Sequence, residues 1–130
     1  MTTPIFLTFD EVVEIHQWLV ALFGGSAELR DAGLLQSAIA MPASAFGDQY
    51  LHASLAEMAA AYLFHIAANH PFVDGNKRIA STAARLFLLM NDAEFEPSEQ
   101  EYGDLTLGVA SGQLDKSAVI EFFKRHVRIK

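Results

Sequence analysis

The chain contains no cysteine. That rules out a disulfide framework and a thiolate metal site. Only four prolines occur in 130 residues, so little interrupts regular structure. No long hydrophobic run is present. The longest, Met58 to Phe64, is seven residues, against the ~20 needed to span a bilayer. The N-terminal stretch Met1-Thr2-Thr3-Pro4-Ile5-Phe6 has no basic region of the kind that opens a secretory leader. We therefore expect a soluble, cytoplasmic protein that neither crosses a membrane nor is secreted.

Basic residues are scarce: nine Lys and Arg against 16 Asp and Glu, a net charge of −7. Four of the nine, Lys124, Arg125, Arg128 and Lys130, fall in the last seven residues. Residues 1–123 thus carry five basic against 16 acidic side chains, a net of −11. An acidic body repels a phosphate backbone, which argues against general nucleic-acid binding. The basic tail fits cations at the C-terminal end of a helix, with contact to an acidic partner as the alternative.

What is abundant is alanine, 20 residues, in a chain 52% hydrophobic. Alanine is the best helix former, and helical periodicity recurs along most of the chain. Thr8 and Glu11 form a capping box opening a helix with Val12, Ile15, His16, Leu19, Leu22 and Phe23 on one side, ended by Gly24-Gly25. Asp31 caps a short helix from Ala32 to Ala40, stopped by Pro42. A third helix, from about Leu51 to Ala68, is apolar on nearly all sides and so reads as central. A fourth runs from about Asn76 to Met90. Ala93 to Glu96 reads as an extended edge segment. Ser98 and Glu101 form a second capping box, opening a helix that ends at Gly112, and Asp115 caps the last helix, Lys116 to about His126. No internal repeat or linker is visible. The expected architecture is one all-α domain over residues 1–130, with six or seven helices, two of them hydrophobic and central, joined by a polar loop.

That loop is His70-Pro71-Phe72-Val73-Asp74-Gly75-Asn76-Lys77-Arg78. Gly75 leads straight into a helix, whose first N–H groups lack partners and favour an anion, phosphate above all. Lys77 and Arg78 stand in the first turn, where the helix dipole disfavours cations; a bound anion accounts for them better than stability does. His70 suits a general base near neutral pH. Asp74 beside a phosphate site suits a Mg²⁺ ligand. Phe72 and Val73 are expected to anchor the loop in the core. Each residue also has a plainer reading: His70 as a helix cap, Asp74 as the first residue of an Asp-Gly turn, Asn76 as an N-cap, and Lys77 and Arg78 as solvated cations. Their combination at a helix start favours chemistry.

Other nucleotide and metal sites find no support. Neither a Gly-x-x-x-x-Gly-Lys-(Ser/Thr) nor a Gly-x-Gly-x-x-Gly pattern occurs, and there is no His-Glu-x-x-His. His65 and His70 are five positions apart, which does not align two ligands on one helix face. His16, His52 and His126 read as ordinary, isolated histidines.

Residues 70–78 resemble the signature of the Fic/Doc family, His-Pro-Phe-x-(Asp/Glu)-Gly-Asn-(Gly/Lys)-Arg, at every fixed position. The segment Gly24-Gly25 with Leu29-Arg30-Asp31-x-Gly33-Leu34-Leu35-x-Ser37-Ala38, and the segment Asp104-Leu105-Thr106-x-Gly108-x-Ala110-x-Gly112, resemble the Doc (death-on-curing) branch. The resemblance implies an all-helical fold and transfer of part of a nucleotide to a protein hydroxyl. It makes His70 the base, Asp74 the Mg²⁺ ligand, Gly75 and Asn76 the anion-binding turn, and Arg78 a phosphate partner.

Residue 77 bears on the reaction. Fic adenylyltransferases typically have Gly there; this chain has Lys77, as the Doc branch does. That resemblance implies a kinase that uses ATP or another nucleoside triphosphate to phosphorylate elongation factor Tu. It also implies a toxin whose antitoxin folds a C-terminal segment into a groove. Pro71 and Gly75 follow the general Fic pattern instead, which leaves protein adenylyl transfer as the alternative, with a non-catalytic binding protein of the same fold as a third. The self-inhibitory (Ser/Thr)-x-x-x-Glu-(Gly/Asn) motif of some Fic proteins finds only Ser117 to Glu121, followed by Phe122. It reads as ordinary helix, which favours inhibition by a separate protein.

Overall fold

The structure, a computed structural model, describes residues 3–130. Met1 and Thr2, part of the stretch read above for a leader, lie outside the described residues. Six helices account for most of it: α1 (Phe9–Phe23), α2 (Ala32–Ala40), α3 (Leu55–Asn69), α4 (Asn76–Met90), α5 (Glu99–Ala110) and α6 (Lys116–His126). Two short antiparallel pairs join them: β1 (Ala45–Phe46) with β2 (Gln49–Tyr50), and β3 (Ala93–Phe95) with β4 (Val127–Ile129).

The helix starts follow local chemistry. Thr8 and Glu11, and again Ser98 and Glu101, satisfy each other's backbone N–H groups as reciprocal capping boxes. Asp31 and Asp115 accept from Leu34 and Ala118 N–H at 3.0 Å. Gly24, with φ +91°, ends α1 in a backbone region closed to most side chains.

Helix α3 is the hub, packing on α2, α4, α5 and α6. Its fully buried Ala59, Ala60, Ala61 and Ala67, and Ala80, Ala83 and Ala84 of α4, are small enough to bring the two helix axes together. Tyr62, Leu63, Ile66, Phe72, Ile79, Phe87 and Phe123 fill the remaining space in one buried cluster. The two expected central helices are therefore α3 and α4, and the expected loop between them spans residues 70–75.

The extended edge segment after α4 appears as read, as β3, and pairs with β4, setting Glu94 opposite Arg128. Three details differ from the sequence reading. Helix α3 starts at Leu55 rather than Leu51, because the Leu51 N–H closes the β1–β2 turn onto the Ser44 carbonyl (2.9 Å) and Ser54 takes over as N-cap. Of the basic tail, Lys124 and Arg125 occupy the last turn of α6, whereas Arg128 belongs to that strand pair. On α1 only Val12, His16 and Leu19 are buried; Leu22 and Phe23 are exposed. No helix among the described residues is long and apolar enough to cross a membrane.

Candidate active site

The loop from α3 to α4 is held from four directions. At its start, His70 is the C-cap of α3 in the left-handed region, with φ +48°. Histidine is one of the few non-glycine residues enriched there. The Arg30 guanidinium donates to the His70 carbonyl (2.8 Å) and the Asn69 carbonyl (3.0 Å), placing a cation at the negative end of the α3 dipole. Along its middle, Leu29 bridges to Phe72. Arg30 and Asp31 N–H donate to the Pro71 carbonyl, and Val73 N–H donates to Glu28.

Underneath, Phe72 is the anchor expected of it, 1% exposed. Its ring stacks on His16 of α1 at 3.6 Å between centroids and 10° between planes. His16 Nε2–H donates to the Asp74 carbonyl at 2.8 Å. At the far end, Asn76 clasps Phe72 twice: its side-chain oxygen accepts from Phe72 N–H and its amide donates to the Phe72 carbonyl, both at 2.9 Å.

Several of the loop's residues differ from expectation. Asn76 is not the N-cap; Gly75 is, with φ +75°, and no side chain caps α4. The Asn76 side chain is spent on the loop itself, so its part in an anion site is its backbone and the shape it imposes. Val73 is not an anchor: it is 46% exposed, because alternation around buried Phe72 turns it outward. Asp74 is more than a turn residue: Oδ2 accepts from Ser26 N–H at 2.8 Å, next to Gly25. The other oxygen carries no hydrogen bond among the described residues.

His70, Asp74, Gly75, Asn76, Lys77 and Arg78 all line one cavity of about 670 Å³, within the usual range of small-molecule sites. The first turn of α4 brings uncapped N–H groups, Lys77 and Arg78 to its wall. The Arg78 guanidinium lies 4.0 Å from the ring centroid of Phe23, at the end of α1. That cation–π contact covers one face of the guanidinium and leaves its N–H edge for an anion. The opposite wall is α5, through Glu99, Tyr102, Gly103, Thr106 and Leu107. Burial pushes the Tyr102 phenol above its ordinary range. It stays protonated and donates to the Ser81 carbonyl of α4 at 2.6 Å, which sets the width of the cavity.

Sequence reasoning missed the residues that shape this site from afar: His16, Phe23, Ser26, Arg30 and the face of α5. His16 left one signal, a histidine at an otherwise apolar position of the α1 face.

A divalent cation is testable on the donor set. Among the described residues no cluster of three or more His, Asp or Glu side chains forms a metal cage. One carboxylate with an oxygen to spare, beside the uncapped start of α4, fits Mg²⁺, which binds through one or two carboxylates plus phosphates and water.

This is a nucleotide-sized cleft built on a helix start, with a histidine at its rim. Its chain matches the model of the Fic/DOC family over residues 6–88, and it belongs to that family. Two relatives extend the likeness past the loop. The chain is 31% identical over 116 residues to the protein kinase doc of Escherichia phage P1, covering 89% of this chain and 90% of the relative. It is 39% identical over 101 residues to the toxin Doc of Mycolicibacterium smegmatis, covering 75% and 76%.

Proposed function

We propose that the protein is a Doc-type toxin, a kinase that moves the γ-phosphoryl group of ATP to a hydroxyl of a protein, elongation factor Tu being the expected target. One observation carries the reading: Lys77 stands in the uncapped first turn of α4, in the same cavity as His70. A long cation there takes up space a triphosphate needs to lie with its α-phosphate at the point of attack, and favours the γ-phosphate beside the histidine. The names of the two relatives, a protein kinase and a toxin, agree with it.

His70 takes the proton of the acceptor hydroxyl as its oxygen attacks the γ-phosphorus. The bond to the β–γ bridging oxygen breaks in line, and ADP leaves. The N–H groups of the α4 start, Lys77 and Arg78 hold and neutralise the phosphate oxygens, so catalysis is positioning and charge stabilisation. Asp74 would hold Mg²⁺, which supplies further neutralisation of phosphate charge. Stopping a translation factor would arrest growth.

A second surface suits the antitoxin. Between α1 and α4 runs a groove of about 400 Å³ lined by Leu7, Ile15, Trp18, Leu86 and Met90, with Glu11 and Glu14 at its edge. Trp18 is 64% exposed. An amphipathic segment, disordered when free, would fold with its apolar face in this groove and basic residues against the two glutamates.

The test uses ATP labelled in either the γ- or the α-phosphate, with purified elongation factor Tu as acceptor. Label passing to the protein from the γ-position alone is expected. Transfer of α-label would move the chain to adenylyl transfer, and no transfer with either would remove the proposed target.

A further inference from the structure

The histidine of the loop is oriented through its backbone. The His70 N–H donates to the Ile66 carbonyl and the His70 carbonyl accepts from Arg30, while its imidazole makes no hydrogen bond among the described residues. A histidine base is commonly aimed by the partner of its second ring nitrogen. Here the aim of the ring starts from the direction of the Cα–Cβ bond, which follows from φ and ψ of His70. Those angles, +48° and +56°, lie in the left-handed region. A non-glycine residue stays there only where its surroundings hold it.

One residue outside the loop supplies that hold. The φ and ψ of His70 are fixed by the two peptide planes that flank its Cα. The Asn69 carbonyl belongs to the plane before it and the His70 carbonyl to the plane after it. Both accept from the same guanidinium, at 3.0 Å from Arg30 Nη2 and 2.8 Å from Arg30 Nε. The next carbonyl, of Pro71, accepts from the Arg30 N–H at 2.8 Å. Three consecutive carbonyls at the end of α3 are thus held by one residue. A guanidinium is a rigid planar fork and fixes the angle between its acceptors, which an ammonium does not. Arg30 itself springs from a firm base: Leu29 bridges to Phe72, Asp31 caps α2, and the Asn69 amide donates to the Leu34 carbonyl at 3.0 Å. Arg30 is an exposed residue, so its hydrogen bonds compete with water and add little to stability.

We propose that Arg30 is a positioning residue: by holding the peptide planes on either side of the His70 Cα, its guanidinium aims the imidazole into the cavity that His70 shares with Lys77 and Arg78. It acts through His70 and lines no part of that cavity itself. The proposal rests on the reading of His70 as the base of phosphoryl transfer. It goes beyond that reading in placing control of the base in the segment before α2, 40 positions away in sequence. Two roles are separable here. Lysine could supply a cation at the negative end of the α3 dipole, but not a fork that fixes two planes.

The experiment compares the wild type, Arg30→Met and Arg30→Lys, with ATP, Mg²⁺ and elongation factor Tu. It reads kcat, KM for ATP, thermal melting, and the NMR coupling between the amide and α protons of His70, which reports φ. Arg30→Met should melt close to the wild type and keep KM for ATP within about twofold, while kcat falls ~10–100-fold. Arg30→Lys keeps the charge without the fork, and its kcat should stay at least about fivefold below the wild type. In both variants the His70 coupling should move toward an averaged value. An unchanged kcat in folded Arg30→Met would overturn the proposal. Full recovery in Arg30→Lys would overturn it too, leaving only a charge at the helix end. So would a KM that rises as far as kcat falls, since the phosphate site would then be disturbed as well. A wild type that transfers nothing would remove the kinase reading beneath it. In that case an unshifted His70 coupling in both variants would still overturn the hold of Arg30 on His70, and a shifted one would sustain it.

Discussion

The His16 imidazole on α1 donates through Nε2–H to the backbone carbonyl of Asp74 at 2.8 Å, across 58 positions of sequence, while its ring face stacks on Phe72. One side chain thus fixes both the buried anchor of the loop and the carbonyl next to Gly75. The approach is tight: a Cβ on Gly75 would come within 3.3 Å of His16 Nε2. The loop that presents the cations is therefore tied to α1 by a buried ring that is itself 1% exposed.

Replacing that ring by phenylalanine tests the tie. His16→Phe keeps the stacking and most of the volume but leaves the Asp74 carbonyl without its donor, at a cost of about 1–3 kcal/mol. The variant should fold, melt lower, and transfer phosphate ~10–100-fold more slowly through misplacement of the loop. Melting and steady-state kinetics check it, with kcat expected to fall further than KM rises.

Asn76 tests the same idea from the other end. Asn76→Ala removes two hydrogen bonds to Phe72, worth together about 1–3 kcal/mol. Stability should fall by that amount in a denaturant titration, and nucleotide affinity should fall with it, although the lost side chain touches only the loop. Unaltered affinity in a destabilised but folded variant would separate loop shape from binding.

Lys77→Gly tests the choice of reaction. Losing the cation should weaken phosphoryl transfer, and the space gained at the start of α4 should admit adenylyl transfer. Mass analysis of the modified protein distinguishes the two, and an unchanged product at an unchanged rate would contradict the role given to Lys77.

Acid should destabilise the fold through the opposite face of α3. Burial, with the charge of Lys116 and then His52 adding to it, pushes His65 down to about 4 from an ordinary 6.5. Burial lowers His52 as well, with Lys116 adding to it. Between those two values the unfolded chain takes up a proton that the folded chain refuses, so stability falls as pH falls through that window. Since His65 is only half-buried, its share is on the order of 2 kcal/mol. Melting curves from pH 7 to pH 4 should show the decline, and His65→Leu should flatten it.

How much of this was legible in the sequence follows from separation along the chain. The caps at Thr8, Asp31, Ser98 and Asp115 are contacts three residues long, and each appears as read. The cations and the histidine of the loop are contiguous from 70 to 78, so their convergence on one cavity was visible as spacing. What holds them was not. His16 reaches Asp74 over 58 positions, Ser26 over 48, and Arg30 reaches His70 over 40. Periodicity put Leu22 and Phe23 on the same side of α1 as Val12 and Leu19, but it cannot see that α1 outruns the core at its end, where both are exposed. Phe23 there meets Arg78 instead.

The most direct test is the intact mass of elongation factor Tu after incubation with the protein, ATP and Mg²⁺, with His70→Asn as the control. Asparagine tolerates the left-handed backbone that His70 adopts, so this variant removes the base without disturbing the cap of α3. A gain of one phosphate with the wild type, and none with His70→Asn, is the predicted result. An equal gain with both proteins, or no gain with the wild type, would contradict the account.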